Sequence, residues 1–180
     1  MNRLFRKALL TSLLMGLISI HSMVRADAPI PTQTIGDLKG QYLFVQNAQF
    51  SVIEPIKNQT GLYTIIFKNV SPNIIYISDR PNRKTGQLAI EEFIKLWQLK
   101  GPDSFKENPP NAVLSSVQSS LFSSDKNTNL AFELSNPLYD AKAKTLSYTA
   151  KALEGTPSIE TIQTLEHVSL FIDDACLSCW

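Results

Sequence analysis

Leu62 to Val70 (LYTIIFKNV), then Ser71-Pro72-Asn73, then Ile74 to Ser78 (IIYIS) is the stretch from which the fold is read. Both runs are dense in Ile, Tyr, Phe and Thr, the β-branched and aromatic residues that pack well on a pleated surface. The Ser-Pro-Asn triplet between them is a turn signal. The expectation is two strands joined as a hairpin. Asn58-Gln59-Thr60-Gly61 marks a turn before the first strand.

Working outward, Gln41 to Val52 (QYLFVQNAQFSV) reads as one or two strands broken near Asn47. Leu130 to Leu134, Thr145 to Leu153 and Val168 to Ile172 read as three more. A strand through Val113 and Ser115 is preferred over a helix, because six serines between 115 and 124 weaken a helix. Asp79 to Gly86 and Ser123 to Asn129 are polar and read as loops, and Asn136-Pro137 reads as a break. One helix is expected over residues 88–100. Ile90, Phe93, Ile94 and Trp97 fall on one face of it, Lys95 follows Glu91 by four positions, and Gly101-Pro102 stops it. Six to eight strands, one amphipathic helix and turns every 8–12 residues or so predict a mainly β chain, an antiparallel β-sandwich of Ig-like, Greek-key type.

The 180 residues are 43% hydrophobic and 18% charged, with a formal net charge of +1. That apolar share excludes disorder, and the length suits one domain. The charge is unevenly placed. Arg3, Arg6 and Lys7 precede an uncharged run from Ala8 to Ile20, and small residues follow at Ala26 and Ala28. This is the three-part layout of a signal peptide, with cleavage after Ala26 or Ala28. The run is shorter than the roughly 20 residues of a spanning helix. The expected organisation is a signal peptide over 1–26, an irregular lead-in over 27–40 and a single domain over 41–180. Without residues 1–26 the chain keeps 13 basic residues against 16 acidic ones, a net of −3. Such a domain has no basic field to attract nucleic acid or an anionic membrane. The expected location is periplasmic or extracellular, with no membrane anchor after cleavage.

Outside the cytosol Cys176 and Cys179, the two cysteines, are expected to form a disulfide that locks the tail. Only Trp180 follows in the sequence, so a helix opening after Cys179 to lower a thiol pKa is not expected. Asp173, Asp174, Cys176 and Cys179 together supply donors for a metal ion or a thiol-redox centre, the alternative reading of this segment, although a structural zinc site usually needs four ligands from two pairs.

Ser78-Asp79-Arg80-Pro81-Asn82-Arg83 places one carboxylate and two guanidinium groups at a strand end, which suits recognition of an anion or carboxylate. The competing role is structural, with Asp79 capping its own turn and pairing with Arg80 or Arg83. Pro109-Pro110-Asn111 is a stiff extended run. A ligand site is expected from Asp79, Arg80, Arg83 and Asn111. There is no Gly-x-Ser-x-Gly elbow, no His-Glu-x-x-His and no phosphate-binding Gly-rich loop, and His167 is the one histidine after the signal segment.

Ile77-Ser-Asp-Arg-Pro-x-Arg83, the Phe93-x-x-x-Trp97 helix, Pro109-Pro-Asn-Ala112 and Ser169-Leu-Phe-Ile-Asp173 occur in that order. In these segments, within residues 62–176, the chain resembles a group of small exported bacterial proteins of unassigned function. The resemblance implies export and a single domain, and no reaction. The functional expectation is a non-enzymatic binding module for a small molecule or a protein partner, with no cofactor.

Overall fold

In the computed structural model, residues 40–173 are described, except 82, 102, 103, 121 and 122. Strands β2 (Leu62–Val70) and β3 (Asn73–Ser78) stand where the sequence places them, but they do not pair with each other. Both run antiparallel to β1 (Tyr42–Pro55) and lie end to end along one of its edges. Ala48 faces Val70 and Val45 faces Ile75, so the register slips by two residues between the strands. Ser71 and Pro72 absorb that slip. Proline has no N–H for a ladder and is tolerated at such irregularities. The Ser71 N–H still reaches the Asn47 carbonyl (3.0 Å), and Gln46 Nε2 donates to the carbonyls of Asn47 (2.9 Å) and Ser71 (3.2 Å).

At this break the sheet branches. Strand β2 goes on to β7 (Thr145–Ala152), which pairs with β6 (Ser123–Asp140), then β5 (Asn111–Ser120), then β8 (Gln163–Asp173), which returns to β1. Every pairing is antiparallel. The six strands close into a barrel, and β3 with β4 (Thr85–Ala89) continues the sheet as a two-stranded flap. The mainly β, antiparallel reading holds. The two-sheet sandwich is corrected to one sheet closed on itself. Closure works because β1 is 14 residues long, enough for β8 along one edge and both β2 and β3 along the other.

Alternation of inward and outward side chains breaks in three strands at the same level. Val70, Ala48 and Val168 form one buried row, and Phe67, Ser51 and Leu165 form the next. In each strand the two rows are three residues apart rather than two. Asn69 (φ 52°) and His167 (φ 50°) lie in the intervening level, in the left-handed region that Asn and His enter more readily than most residues. Asn69 Nδ2 donates to Gln49 Oε1 across it (2.8 Å). This line of irregularities lets the sheet bend, as bulges do in small barrels. His167 is therefore an exposed bend residue.

A closed barrel of eight strands is just wide enough for side chains to fill its interior, and one of six is narrower still. Phe67, Phe132, Tyr148, Ile53, Ile65 and Leu170, all buried, occupy it. The expected helix over 88–100 is shorter. Leu88 and Ala89 belong to β4, a single α-turn covers Ile90–Phe93, and a 3-10 turn covers Ile94–Gln98. Lys95 pairs with Glu92 rather than Glu91. Phe93, Trp97 and the loop residue Phe105 form an aromatic plug against the inward-facing Phe44 and Tyr148, with ring centroids 4.8–6.5 Å apart. The Trp97 indole N–H donates to the Leu134 carbonyl at 3.4 Å. On the segment from 153 to 162, Ile159 is buried and its N–H donates to the Tyr63 hydroxyl (3.2 Å).

The Tyr148 hydroxyl is buried without a hydrogen-bond partner, and burial pushes its pKa well above the ordinary tyrosine value. An unsatisfied buried hydroxyl costs roughly 1–3 kcal/mol. Tyr148→Phe should therefore stabilise the protein by about 1 kcal/mol in urea unfolding. The native phenol stays neutral while the unfolded chain ionises near pH 10, so the wild type should lose stability as pH rises through about 10. The variant should show a smaller loss between pH 8 and 11.

Candidate functional site

Strands with one solvated face alternate apolar and polar residues. Four strands here do not. Tyr42-Leu43-Phe44-Val45 in β1, Ile74 to Ile77 in β3, Ala112-Val113-Leu114 in β5 and Leu170-Phe171-Ile172 in β8 are apolar on both faces. The inward members fill the core. The outward ones collect in two rows across adjacent strands. One row runs Val113, Phe171, Val45, Ile75, and the next contains Asp173, Leu43 and Ile77. Among the described residues seven large apolar side chains are markedly exposed, and four of them lie here: Leu43 (38%), Ile77 (46%), Val113 (40%) and Phe171 (38%). A polar level bounds the patch on one side, with Ser169 Oγ donating to Asn47 Oδ1 at 2.8 Å and Ser115 paired with Ser169.

On the other side, at the strand ends, a cleft of about 540 Å³ opens between β1, β3 and β8, lined by Gln41, Leu43, Ile77, Asp79 and Asp173, with Tyr42 and Ser78. It brings together two carboxylates that the sequence assigns to separate readings. Asp79 Oδ1 accepts the Arg80 N–H (2.6 Å), and its carbonyl accepts the Arg83 N–H (3.0 Å). Arg83 has φ 47°, and the Arg80–Pro81 peptide is cis. Ser78 closes the same turn. Its N–H donates to the Lys84 carbonyl (2.8 Å) and its Oγ accepts the Lys84 N–H (2.7 Å).

The expected ligand cluster is thus brought together only in part. Asp79 lines the cleft and caps its turn. Arg80 and Arg83 are exposed in the adjoining turn, and neither pairs with Asp79, because the one ion pair among the described residues is Lys95–Glu92. Asn111 is exposed on β5. Its successor Ala112 faces Ile172, which puts Asn111 one strand away beside Asp173. Asp174, Cys176 and Cys179, with the expected disulfide, lie outside the described residues. Among the described residues no group of three His, Cys, Asp or Glu could hold a metal ion, and no helix is long and apolar enough to cross a membrane. The outward apolar residues Leu43, Ile77, Val113 and Phe171 were not expected as a site. The legible signal was the missing alternation in four strands that pair side by side. Comparison with protein families, curated proteins and solved structures finds no match.

Proposed function

We propose that this chain is an exported, non-enzymatic binding module that engages a partner on the outer face of β5, β8, β1 and β3. The observation that carries the reading is the concentration of exposed Leu43, Ile77, Val113 and Phe171 on that one face. Contiguous apolar surface of this kind marks interaction sites in folded proteins. The filled, narrow interior directs binding to the outside, unlike wider barrels that enclose a ligand. Three of the segments that carry the resemblance to small exported bacterial proteins border the face. Ile77 to Arg83 ends β3, Asn111-Ala112 opens β5 and Ser169 to Asp173 ends β8. Export rests on the basic residues, apolar run and small residues of 1–28.

A photo-crosslinking amino acid at position 77, in the protein made by its own cell, should give a discrete adduct. The same group at Ile162, which is 66% exposed but away from the face, is the control. An adduct at both positions alike, or at neither, would remove the reading.

A further inference from the structure

We infer that the cleft at the strand ends receives a basic side chain, lysine or arginine, of a polypeptide partner laid across the face. The inference rests on the face being the docking surface and names what docks there. Among the described residues, the cleft lining contains two carboxylates, Asp79 and Asp173, and no cation. Between them lie the exposed apolar residues Leu43 and Ile77, on strands that pair directly. A long basic side chain has the matching shape, with an apolar stem for the Leu43–Ile77 floor and a charged head for the carboxylates. The Asp173 carboxylate makes no hydrogen bond or ion pair among the described residues, and of the Asp79 carboxylate only Oδ1 is engaged, by a backbone N–H. Both retain lone pairs for an incoming donor.

The length of the apolar rows decides between a free amine and a polypeptide. From β5 to β3 the rows cross three interstrand spacings, about 14 Å. A small organic cation would fill the cleft and leave Val113 and Phe171 uncovered. A polypeptide places a basic residue in the cleft and apolar residues along the rows. Arg80, Arg83 and Lys84 stand in the adjoining turn and are the cations that compete. They set the direction expected for their removal.

The test uses the full chain labelled for amide NMR, titrated with a blocked pentapeptide that carries lysine at its first position, valine at its third and fifth, and serine between, so that all three point to one face of the extended chain. Counterparts carry norleucine or glutamate in place of lysine, and butylamine is a further arm. The lysine peptide should shift the amides of Leu43, Ile77, Asp79 and Asp173. The norleucine peptide should bind about fivefold more weakly, the scale of one exposed ion pair. The glutamate peptide should bind more weakly still. Asp79→Asn combined with Asp173→Asn should bring the lysine peptide down to the norleucine level. Arg80→Gln should leave its affinity unchanged or raise it. Equal affinity for the lysine and norleucine peptides would overturn the basic side chain while leaving the apolar face standing. Butylamine binding as tightly as the peptide would overturn the polypeptide. No shift at the cleft with any peptide would overturn the inference outright, and crosslinking at position 77 would then judge the face separately.

Discussion

Phe93→Ala should lower the unfolding free energy by about 3–5 kcal/mol, a large part of the 5–15 kcal/mol typical of a domain. Phe93 is fully buried at the centre of the plug, 5.0 Å from the Phe44 ring, 5.4 Å from Trp97 and 6.4 Å from Phe105. Its removal leaves a cavity that these neighbours cannot easily close. Phe44 is fixed by ladders to β3 and β8, and Trp97 is held by its bond to the Leu134 carbonyl. The melting temperature should fall by roughly 10 °C. Phe93→Leu, which keeps most of the volume, should restore more than half of the loss in urea unfolding. A loss below about 1 kcal/mol for the alanine variant would mean that the turn over 90–98 is peripheral to the barrel.

Gly86→Ala should cost about 2 kcal/mol, for a different reason. Gly86 faces Tyr76 across the β3–β4 pair, and the tyrosine ring lies over it. A Cβ at this position would stand 2.7 Å from the Tyr76 Cζ and 3.0 Å from its Cε1. The ring has little room to retreat, since Tyr76 is 2% exposed and meets Tyr42 edge-on at 5.5 Å. The φ of Gly86 is not in the left-handed region, so the cost is steric rather than conformational. The flap should loosen before the barrel. Hydrogen exchange at Ile75 and Ile77 should speed up in the variant, while exchange at Ile65 and Leu170 stays near wild type. Unchanged exchange in β3 would show that Tyr76 can move aside.

What was legible in the sequence follows from how local each signal is. Strands β2, β3 and β7 carry their own β-branched and aromatic residues, and their bounds agree closely with the reading. Strand β4 (TGQLA) has no such signal and is a strand because β3 offers it an edge. Asn136-Pro137 looked like a break, yet β6 continues through it. Asn136 takes φ 50° and the pairing with β7 shifts between Ser135 and Leu138, the kind of bulge where proline is admitted. The helix pattern of Ile90, Phe93, Ile94 and Trp97 reported burial correctly and length incorrectly, because the plug needs only two turns. Barrel closure depends on β1 choosing β2, a pairing of Ile53 with Ile65 that no local pattern announces. The site divides in the same way. Asp79 and Asp173 could each be singled out as a carboxylate at a strand end. Their shared cleft could not, since it exists only because β3 and β8 flank the same stretch of β1.

The adduct yield at positions 77 and 171, relative to positions 138 and 162, measures whether a partner docks on the outer face of β5, β8, β1 and β3. All four residues are exposed and apolar, and only the first two lie on the face of β5, β8, β1 and β3. One discrete adduct, common to 77 and 171 and absent from 138 and 162, is the expected result. Adducts spread evenly over the four positions, or confined to 138 and 162, would show that this face is not where a partner docks.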